Sequence, residues 1–510
     1  MKFERWLVIL IVLATACNPR AIAQPPPPPT NTLVPVDALA LYRPSLTTAS
    51  QNDLTQPNHP TRYDLTLIYA PDSATLVGSQ DVTFFNRQAT PLSEVYFRLF
   101  ANYPNTGNQP GSEQLTDLRL TVKQILVDGA AVTPKYTSQN TALQIPLAKP
   151  LGADASVKIH LEYNVKIPSI GRNRYGDFGA SDSVISLPSV YPLIPAYDSK
   201  GWHLEVPPPY GDLVYADVSL YSVTMTVPST MTVIASGSTI DTRDTPNGTK
   251  TWKIVGAPMR DFDINLTSQL KKSSALVGEI TVNSWYEPAD EASGKSALQF
   301  ATDALRIFQS RFGAYPFREL DVVETPTSAG GIEYPGIVVI GRNLYKDSRE
   351  KEFFEFATAH EVSHQWWYGV VGDDQVNFPW VDESLAQYST LIYDEDLKGA
   401  KAGQDILKNY FAEVYNHAKA AGRDRAVNQP VSAFDEPNYG EIVYAKGPLF
   451  YDAIRKKMGD DLFFKFLRTY YERYHDKIAF PEDILKTAED VCACNLNAEY
   501  QQWILSPAPK

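Results

Sequence analysis

Hydrophobic and polar residues alternate over the first half of the chain. From about residue 61 to residue 286, apolar side chains recur at every second position, as in the run Tyr63, Leu65, Leu67 and Tyr69. A strand places alternate residues on the same face of a sheet, so this period of two is typical of half-buried strands. Turn clusters such as Pro246-Asn247-Gly248 interrupt the runs at short intervals. The pattern predicts an all-β N-terminal domain over residues 59–275.

The spacing of apolar residues becomes helical after residue 293. Leu298, Ala301, Leu305 and Phe308 lie on one stripe of a predicted helix. We therefore expect a second domain of α+β type over residues 276–510, in which helices predominate. A short strand pair is predicted over residues 320–324 and 337–340. Helices are predicted over residues 351–371, 383–394, 404–421, 446–458 and 461–474.

The first residues have the pattern of an export signal. Basic residues precede an apolar run from Trp6 to Ala16, which is too short to span a membrane as a helix. Cleavage before Cys17 would give a lipoprotein anchored to the membrane of a bacterial cell envelope, whereas cleavage after Ala23 would give a secreted or periplasmic protein. We favour the first alternative because Cys17 stands at the end of the apolar run. Residues 1–17 are then the signal and residues 18–58 a proline-rich linker.

The overall composition restricts the classes of function. With 44% hydrophobic and 21% charged residues among 510, the chain has the composition of a folded globular protein. Its net charge of −13 repels phosphate backbones, so we expect no nucleic-acid partner. Besides Cys17, the cysteines are Cys492 and Cys494, which are too few for a four-ligand zinc site. They are either ordinary thiols or a local disulfide bridge.

The residues that indicate chemistry are His360-Glu361-Val362-Ser363-His364, in a predicted helix. At 100° per residue, the two histidines lie about 40° apart around the helix, and Glu361 lies about 60° from His364. Two imidazoles can bind one Zn²⁺ while the carboxylate between them accepts a proton from water. Glu383 follows His364 by 19 residues, near the start of the next predicted helix, and is a candidate third ligand. Three protein ligands are typical of a catalytic zinc site.

These residues resemble the gluzincin signature of the family that includes aminopeptidase N and leukotriene hydrolase. Gly330-Gly331-Ile332-Glu333-Tyr334 is similar to the family's Gly-x-Met-Glu-Asn segment, and Tyr444-Ala445-Lys446-Gly447 is similar to its Tyr-x-Lys-Gly segment. The resemblance covers most of the chain beyond about residue 60. It implies a thermolysin-like catalytic domain with one zinc ion, in a short form without the large C-terminal helical domain of longer relatives.

The resemblance also implies roles for individual residues in a zinc aminopeptidase that acts on peptides with a free N-terminus. Glu361 would be the general base, and Tyr444 would donate a hydrogen bond to the substrate oxyanion. Glu333 would bind the substrate's amino group, and Gly330 and Gly331 would allow its backbone to approach closely. Tyr439, five residues before Tyr444, is predicted to border the same cleft.

Several alternatives remain at the level of sequence. The same site could serve a zinc endopeptidase, an epoxide-type hydrolase, or a catalytically idle surface protein that binds peptides. Four residues depart from the family's segments and change the expected first substrate pocket: Ile332, Tyr334, Asp382 and Ser384. The preferred N-terminal residue, the oligomeric state and a second amine-binding residue cannot be assigned.

Overall fold

The computed structural model describes residues 39–55, 59–103, 118–169 and 178–507. The predicted signal, the lipid-anchor residue Cys17 and the proline run lie outside the described residues. Among the residues that are described, no helix combines the length and apolar character needed to cross a membrane.

Strands dominate the described residues before the first long helix. In chain order the strands are β1 (Thr61–Ala70), β2 (Thr75–Phe85), β3 (Leu92–Arg98), β4 (Leu120–Val127), β5 (Ala130–Ala131), β6 (Lys135–Thr137), β7 (Ala142–Leu151), β8 (Ser156–Lys166), β9 (Gly179–Ala180), β10 (Ile185–Ser186), β11 (Tyr197–Asp198), β12 (Gly201–Trp202), β13 (Ser219–Pro228), β14 (Thr232–Ala235), β15 (Ser238–Asp244), β16 (Thr249–Met259), β17 (Ile264–Thr267), β18 (Lys271–Val277), β19 (Ile280–Tyr286), β20 (Glu319–Thr325), β21 (Gly331–Tyr334) and β22 (Ile337–Gly341).

The N-terminal region is built around an eight-stranded sheet with the order β15-β16-β13-β1-β2-β8-β4-β5. Strand β1 pairs in parallel with β13 and antiparallel with β2. Its burial alternates, with Tyr63, Leu65 and Leu67 in the core, because one face of the sheet packs inward. Three smaller sheets, β14-β17-β10-β9, β3-β7-β6 and β11-β12, complete this region. The prediction of an all-β N-terminal region is confirmed.

The segment before the first strand corrects one prediction. Tyr42, Leu46 and Leu54 are at most 3% exposed and belong to the main hydrophobic core. The backbone N–H of Thr47 donates to the carbonyl of Pro316 at 2.8 Å, far along the chain. Residues 39–55 are therefore folded, and the linker predicted to reach residue 58 does not include them.

A second, five-stranded sheet begins the C-terminal region, in the order β18-β19-β20-β22-β21. The change from one set of sheets to the other falls between β17 and β18, close to the proposed boundary at residue 275. The boundary itself stays a prediction, because both regions share one continuous hydrophobic core. Strand β21 lies at the edge of the sheet, antiparallel to β22, with its other side toward the helices.

Helices form most of the remaining chain. They are α1 (Glu291–Arg311), α2 (Arg342–Lys346), α3 (Lys351–Ser363), α4 (Trp380–Lys398), α5 (Ala400–Ile406), α6 (Glu413–Ala420), α7 (Glu436–Glu441), α8 (Gly447–Met458), α9 (Asp460–Tyr474), α10 (Pro481–Cys492) and α11 (Asn497–Tyr500), with π-helical turns at Leu407–Ala412, Ile442–Lys446 and Gln501–Leu505. Helix α3 ends eight residues earlier than predicted, since the chain turns after His364. Cys492 and Cys494 form a disulfide bridge at the end of α10.

Candidate metal centre and active site

The three predicted metal ligands meet at the end of α3. His360 lies in its last turn, His364 caps it, and Glu383 lies in the first turn of α4. His360 Nε2 is 3.1 Å from both His364 Nε2 and Glu383 Oε2, and His364 Nε2 is 3.4 Å from the same carboxylate oxygen. All three side chains are buried. A helix, a loop and a second helix thus direct three ligand atoms to one point.

These distances fit a zinc ion. With bonds of about 2.0–2.1 Å, two ligand atoms of a tetrahedral zinc site lie about 3.3 Å apart. Glu383 Oε2 is buried without a hydrogen-bond partner, as expected for an atom whose partner is a metal. His364 Nδ1 lies 2.9 Å from the carbonyl oxygen of Trp367 and donates to it, which leaves the Nε2 lone pair for the metal.

The electrostatics of the centre also favour a cation. Glu333, Glu361, Asp382 and Glu383 are all buried around the histidines. Burial alone lowers the pKa of His364, but the negative charges of Glu333 and Glu383 outweigh it and raise that pKa well above its ordinary value. Carboxylates that stabilise a proton here would also stabilise a divalent metal ion.

The predicted base Glu361 lies directly against strand β21. A Cβ added to Gly331 would be 2.4 Å from Glu361 Cγ, which is closer than side chains tolerate, so glycine is required at this position. A Cβ added to Gly330 would have its nearest contact at 3.5 Å, with Phe353. Burial raises the pKa of Glu361 well above its ordinary value, and the charge of Glu333 adds to the rise.

Glu333 is joined to the start of α4 by a chain of hydrogen bonds. Gln375 Nε2 donates to Glu333 Oε1 at 2.8 Å and to Asp382 Oδ2 at 2.9 Å. Asp382 Oδ1 accepts the backbone N–H of Glu383 at 2.7 Å. Asp382, which replaces the family's asparagine, therefore uses both carboxylate oxygens as acceptors.

Of the two predicted tyrosines, Tyr444 lies nearer to the metal ligands than Tyr439. Tyr444 donates its hydroxyl hydrogen to Glu383 Oε1, and its ring lies 6.0 Å from that of His360. Tyr439 packs edge-on against Tyr444, with 5.5 Å between ring centroids, and is buried behind it. Tyr439 thus contacts the Tyr444 ring, whereas Tyr444 reaches a metal ligand.

Ser384 and Gly447 meet where α4 contacts the turn that carries Tyr444. Ser384 Oγ donates to the carbonyl of Val443 at 2.7 Å, which ties α4 to the turn that carries Tyr444. A Cβ added to Gly447 would be 1.9 Å from Ser384 Oγ. The glycine of the Tyr-x-Lys-Gly segment therefore leaves space for this bond.

Two residues of the site were not anticipated from the sequence. Gln375 stands in no recognisable motif, and Asp212 comes from the loop between β12 and β13, far away in sequence. Burial raises the pKa of Asp212 well above its ordinary value, and the charges of Glu333 and Glu383 add to the rise. Tyr210, in the same loop, donates to the carbonyl of Phe434 at 2.7 Å. The β-sheet region thus contributes an acid to the catalytic cleft.

Comparison with known proteins agrees with this geometry. Residues 296–503 match the peptidase family M1 domain. The matched segment is the part of the chain that carries the candidate metal centre. The resemblance to the gluzincin aminopeptidase family is confirmed, and the metal ligands and Tyr444 all fall inside the matched residues of this M1 domain.

Curated relatives of the M1 domain include aminopeptidase 2 of Candida albicans, which is 26% identical over 208 residues, equal to 38% of this chain and 22% of the relative. Aminopeptidase B of Mus musculus is 26% identical over 275 residues, equal to 52% of this chain and 41% of the relative. The chain thus spans less than half the length of these curated relatives.

Solved structures extend the similarity to both regions. The M1 zinc metallopeptidase of Deinococcus radiodurans superposes with a TM-score of 0.66 at 20% identity, covering 89% of this chain and 96% of that one. A variant of that enzyme bound to a Tyr-Ser-Ala substrate gives a TM-score of 0.63 at 19% identity, with the same 89% of this chain covered. The prediction of an all-β region followed by a mainly helical peptidase domain is confirmed.

Proposed function

We propose that this M1 protein is a zinc-dependent aminopeptidase that removes the N-terminal residue from peptides with a free amino group. The observation that carries the proposal is the position of a buried carboxylate, Glu333, beside a complete set of three metal ligands. His360, His364 and Glu383 would hold a single zinc ion. The names of the curated relatives support the same activity.

Bound there, zinc would polarise the substrate carbonyl and lower the pKa of water. Glu361 accepts the proton of the attacking water and delivers it to the departing amine, because a carboxylate beside the ligands can reach both groups. The Tyr444 hydroxyl, which donates to Glu383 in the structure, would turn its hydrogen to the substrate's carbonyl oxygen as negative charge develops on that oxygen.

Glu333 selects the free amino terminus. A buried carboxylate makes a charge-assisted hydrogen bond to an ammonium group and so fixes the scissile bond one residue further along. Asp212 faces the same carboxylates at this end of the cleft. A blocked amino group carries no positive charge, so the site would reject it.

The test is hydrolysis of aminoacyl amides and of matched N-acetylated peptides, with and without a chelator. We expect chelator-sensitive hydrolysis of the free substrates only, and a Glu361→Gln variant that retains zinc but loses nearly all turnover. Cleavage of blocked peptides would favour an endopeptidase. Inactivity of folded, zinc-loaded protein would favour an epoxide-type hydrolase or an idle peptide-binding protein.

We further propose that the protein is exported in bacteria and anchored to the membrane through a lipid on Cys17. The order of basic, apolar and small residues before Cys17 supports this proposal. Mass spectrometry of the mature N-terminus should find an acylated Cys17, and Cys17→Ser should release the protein from membranes. A mature N-terminus directly after Ala23 would contradict the lipid anchor and favour a secreted or periplasmic protein.

A further inference from the structure

One neutral amide is shared between two buried carboxylates beside the metal ligands. The Nε2 atom of Gln375 lies 2.8 Å from Glu333 Oε1 and 2.9 Å from Asp382 Oδ2, so its two hydrogens go to two different acids. Gln375 itself is 2% exposed. Through Asp382 the chain of bonds continues to the backbone N–H of Glu383.

The loop that carries Gln375 is fixed on both sides. Before it, the backbone N–H of Gly372 donates to the carbonyl of Lys477 at 2.9 Å, and the Gly372 carbonyl accepts from Ala479 at 2.7 Å. After it, the N–H of Val431 donates to the carbonyl of Val376 at 3.0 Å. The backbone on both sides of Gln375 is therefore held by the fold.

The strand that carries Glu333 is fixed separately by a second glutamine. Gln365 Nε2 donates to the carbonyl of Tyr334 at 2.9 Å, and Gln365 Oε1 accepts the N–H of Gly336 at 2.7 Å. Gln365 thus holds the backbone beyond Glu333, whereas Gln375 holds its carboxylate. The Gln375 amide is thus a side-chain donor to the Glu333 carboxylate.

We propose that Gln375 is a positioning residue for recognition of the substrate's amino group, which it serves by orienting the Glu333 carboxylate. This inference rests on the proposed aminopeptidase function. A neutral donor suits the task because it uses one lone pair of Glu333 Oε1 and leaves the negative charge for the ammonium group. A lysine or arginine in its place would neutralise that charge.

The experiment measures kcat and KM for a free aminoacyl amide and for its N-acetylated counterpart, with the zinc content of each variant. In Gln375→Met, which keeps the length of the side chain but removes the donor, we expect KM for the free substrate to rise about tenfold or more. The preference for free over blocked substrate should fall in parallel, with zinc retained. Gln375→Asn has a shorter amide that cannot reach both acids. It should also raise KM for the free substrate and lower the preference for free over blocked substrate.

A double-mutant cycle with Glu333→Gln separates positioning from a general structural role. If Gln375 acts through Glu333, Gln375→Met should have little further effect once Glu333 has been replaced. Gln80→Met is the matched control, because Gln80 is also buried and donates to the carbonyl of Pro192 in the β-sheet region. The control should not change the ratio of free to blocked hydrolysis.

The outcomes separate this inference from the proposed function. Wild-type protein that shows no preference for free amino groups would overturn the aminopeptidase proposal itself. A wild-type preference that survives unchanged in Gln375→Met and Gln375→Asn would overturn only the role of Gln375. The role of Gln375 would also be overturned if Gln375→Met caused the same loss in the wild-type background and in the Glu333→Gln background. Its effect would then be independent of the carboxylate.

Discussion

At the scale of the residue, the close approach of Glu361 to Gly331 predicts that a larger residue at position 331 would impair catalysis. A methyl group at position 331 would lie 2.4 Å from Glu361 Cγ. Gly331→Ala should therefore displace the base and lower kcat by about a hundredfold, because small misplacements of catalytic groups have large effects on rate. Steady-state kinetics with a metal assay should show the loss of turnover at normal zinc content.

Gly330→Ala is the matched comparison for Gly331→Ala. Its new methyl group would have no neighbour closer than 3.5 Å. Its effect on kcat should be much smaller than that of the change at residue 331. Equal losses in the two variants would mean that the substrate backbone, and not Glu361, requires the glycines.

Tyr444 gives a second expectation at this scale. Tyr444→Phe removes the hydroxyl that bonds Glu383 but keeps the ring packed on Tyr439. Loss of one oxyanion donor commonly lowers kcat by about 10²–10³-fold. Zinc should remain bound, since the three ligands are unchanged. A fall in zinc content equal to the fall in activity would instead make Tyr444 a support for Glu383.

The residue scale also shows which parts of the site the sequence could predict. The spacing of His360 and His364 predicts convergence because the helical period fixes their direction within one element. Glu333 and Tyr444 were found through short segments that resemble a family. Gln375 and Asp212 could not be found in either way, because their positions depend on how distant loops fold back on the cleft.

At the scale of the element, a buried histidine in the loop that carries Asp212 pairs with two acids. His203 Nε2 lies 2.9 Å from Asp198, and Nδ1 lies 3.4 Å from Glu205. Its ring packs on Tyr215, and Asp374 of the loop before α4 faces the same group. Burial alone lowers the pKa of His203, but Glu205 and Asp198 outweigh it and raise the pKa to about 9.

This ion pairing predicts a pH-dependent stability. Because the folded pKa of His203 lies above the unfolded value of about 6.5, the stabilisation is complete below pH 6.5 and is lost as the pH rises through about 9. His203→Gln should therefore unfold more easily than wild type by about 2 kcal/mol at pH 6 and by much less at pH 9.5.

Urea unfolding at several pH values measures this difference. His417→Gln is the matched control, since His417 is an exposed histidine on α6 and its replacement should change stability little at any pH. A His203→Gln effect that stays constant between pH 6 and 9.5 would show that packing, and not charge, is responsible.

The pattern of hydrophobic and polar residues predicts some strands and helices better than others. Period two predicts β1, because alternate residues of an antiparallel sheet face core and solvent. The order of strands is not contained in that period, so the parallel pairing of β1 with the distant β13 could not be foreseen. The length of α3 was overestimated because Trp366 and Trp367 continue an apolar pattern while the backbone turns to place His364.

At the scale of the whole molecule, one buried arginine connects three parts of the chain. Arg260 follows β16 and is 1% exposed. Its guanidinium donates to the carbonyls of Tyr368 at 2.7 Å, Val370 at 2.8 Å, Lys477 at 2.7 Å and Ala216 at 3.1 Å. It therefore joins the β-sheet region, the loop after His364 and the segment that follows α9.

Removal of this arginine should lower both the stability of the fold and the retention of zinc. Arg260→Met removes four hydrogen bonds to carbonyls, of which those of Val370 and Lys477 keep a backbone donor, and we expect a loss of about 3 kcal/mol in the free energy of unfolding. The loop from Tyr368 to Gly372 leads directly from His364, so zinc should also dissociate more readily. Urea unfolding and metal release to a chelator measure the two effects.

Arg243→Met is the control for loss of an arginine as such. Arg243 is 74% exposed at its side chain and pairs with Asp241 on the surface, so its replacement should change stability by no more than about 0.5 kcal/mol. If Arg260→Met lowered stability without faster zinc release, the metal ligands would be held by the helical region alone. Faster zinc release in parallel with lower stability would mean that the β-sheet region supports the metal site as well as contributing Asp212 to the cleft.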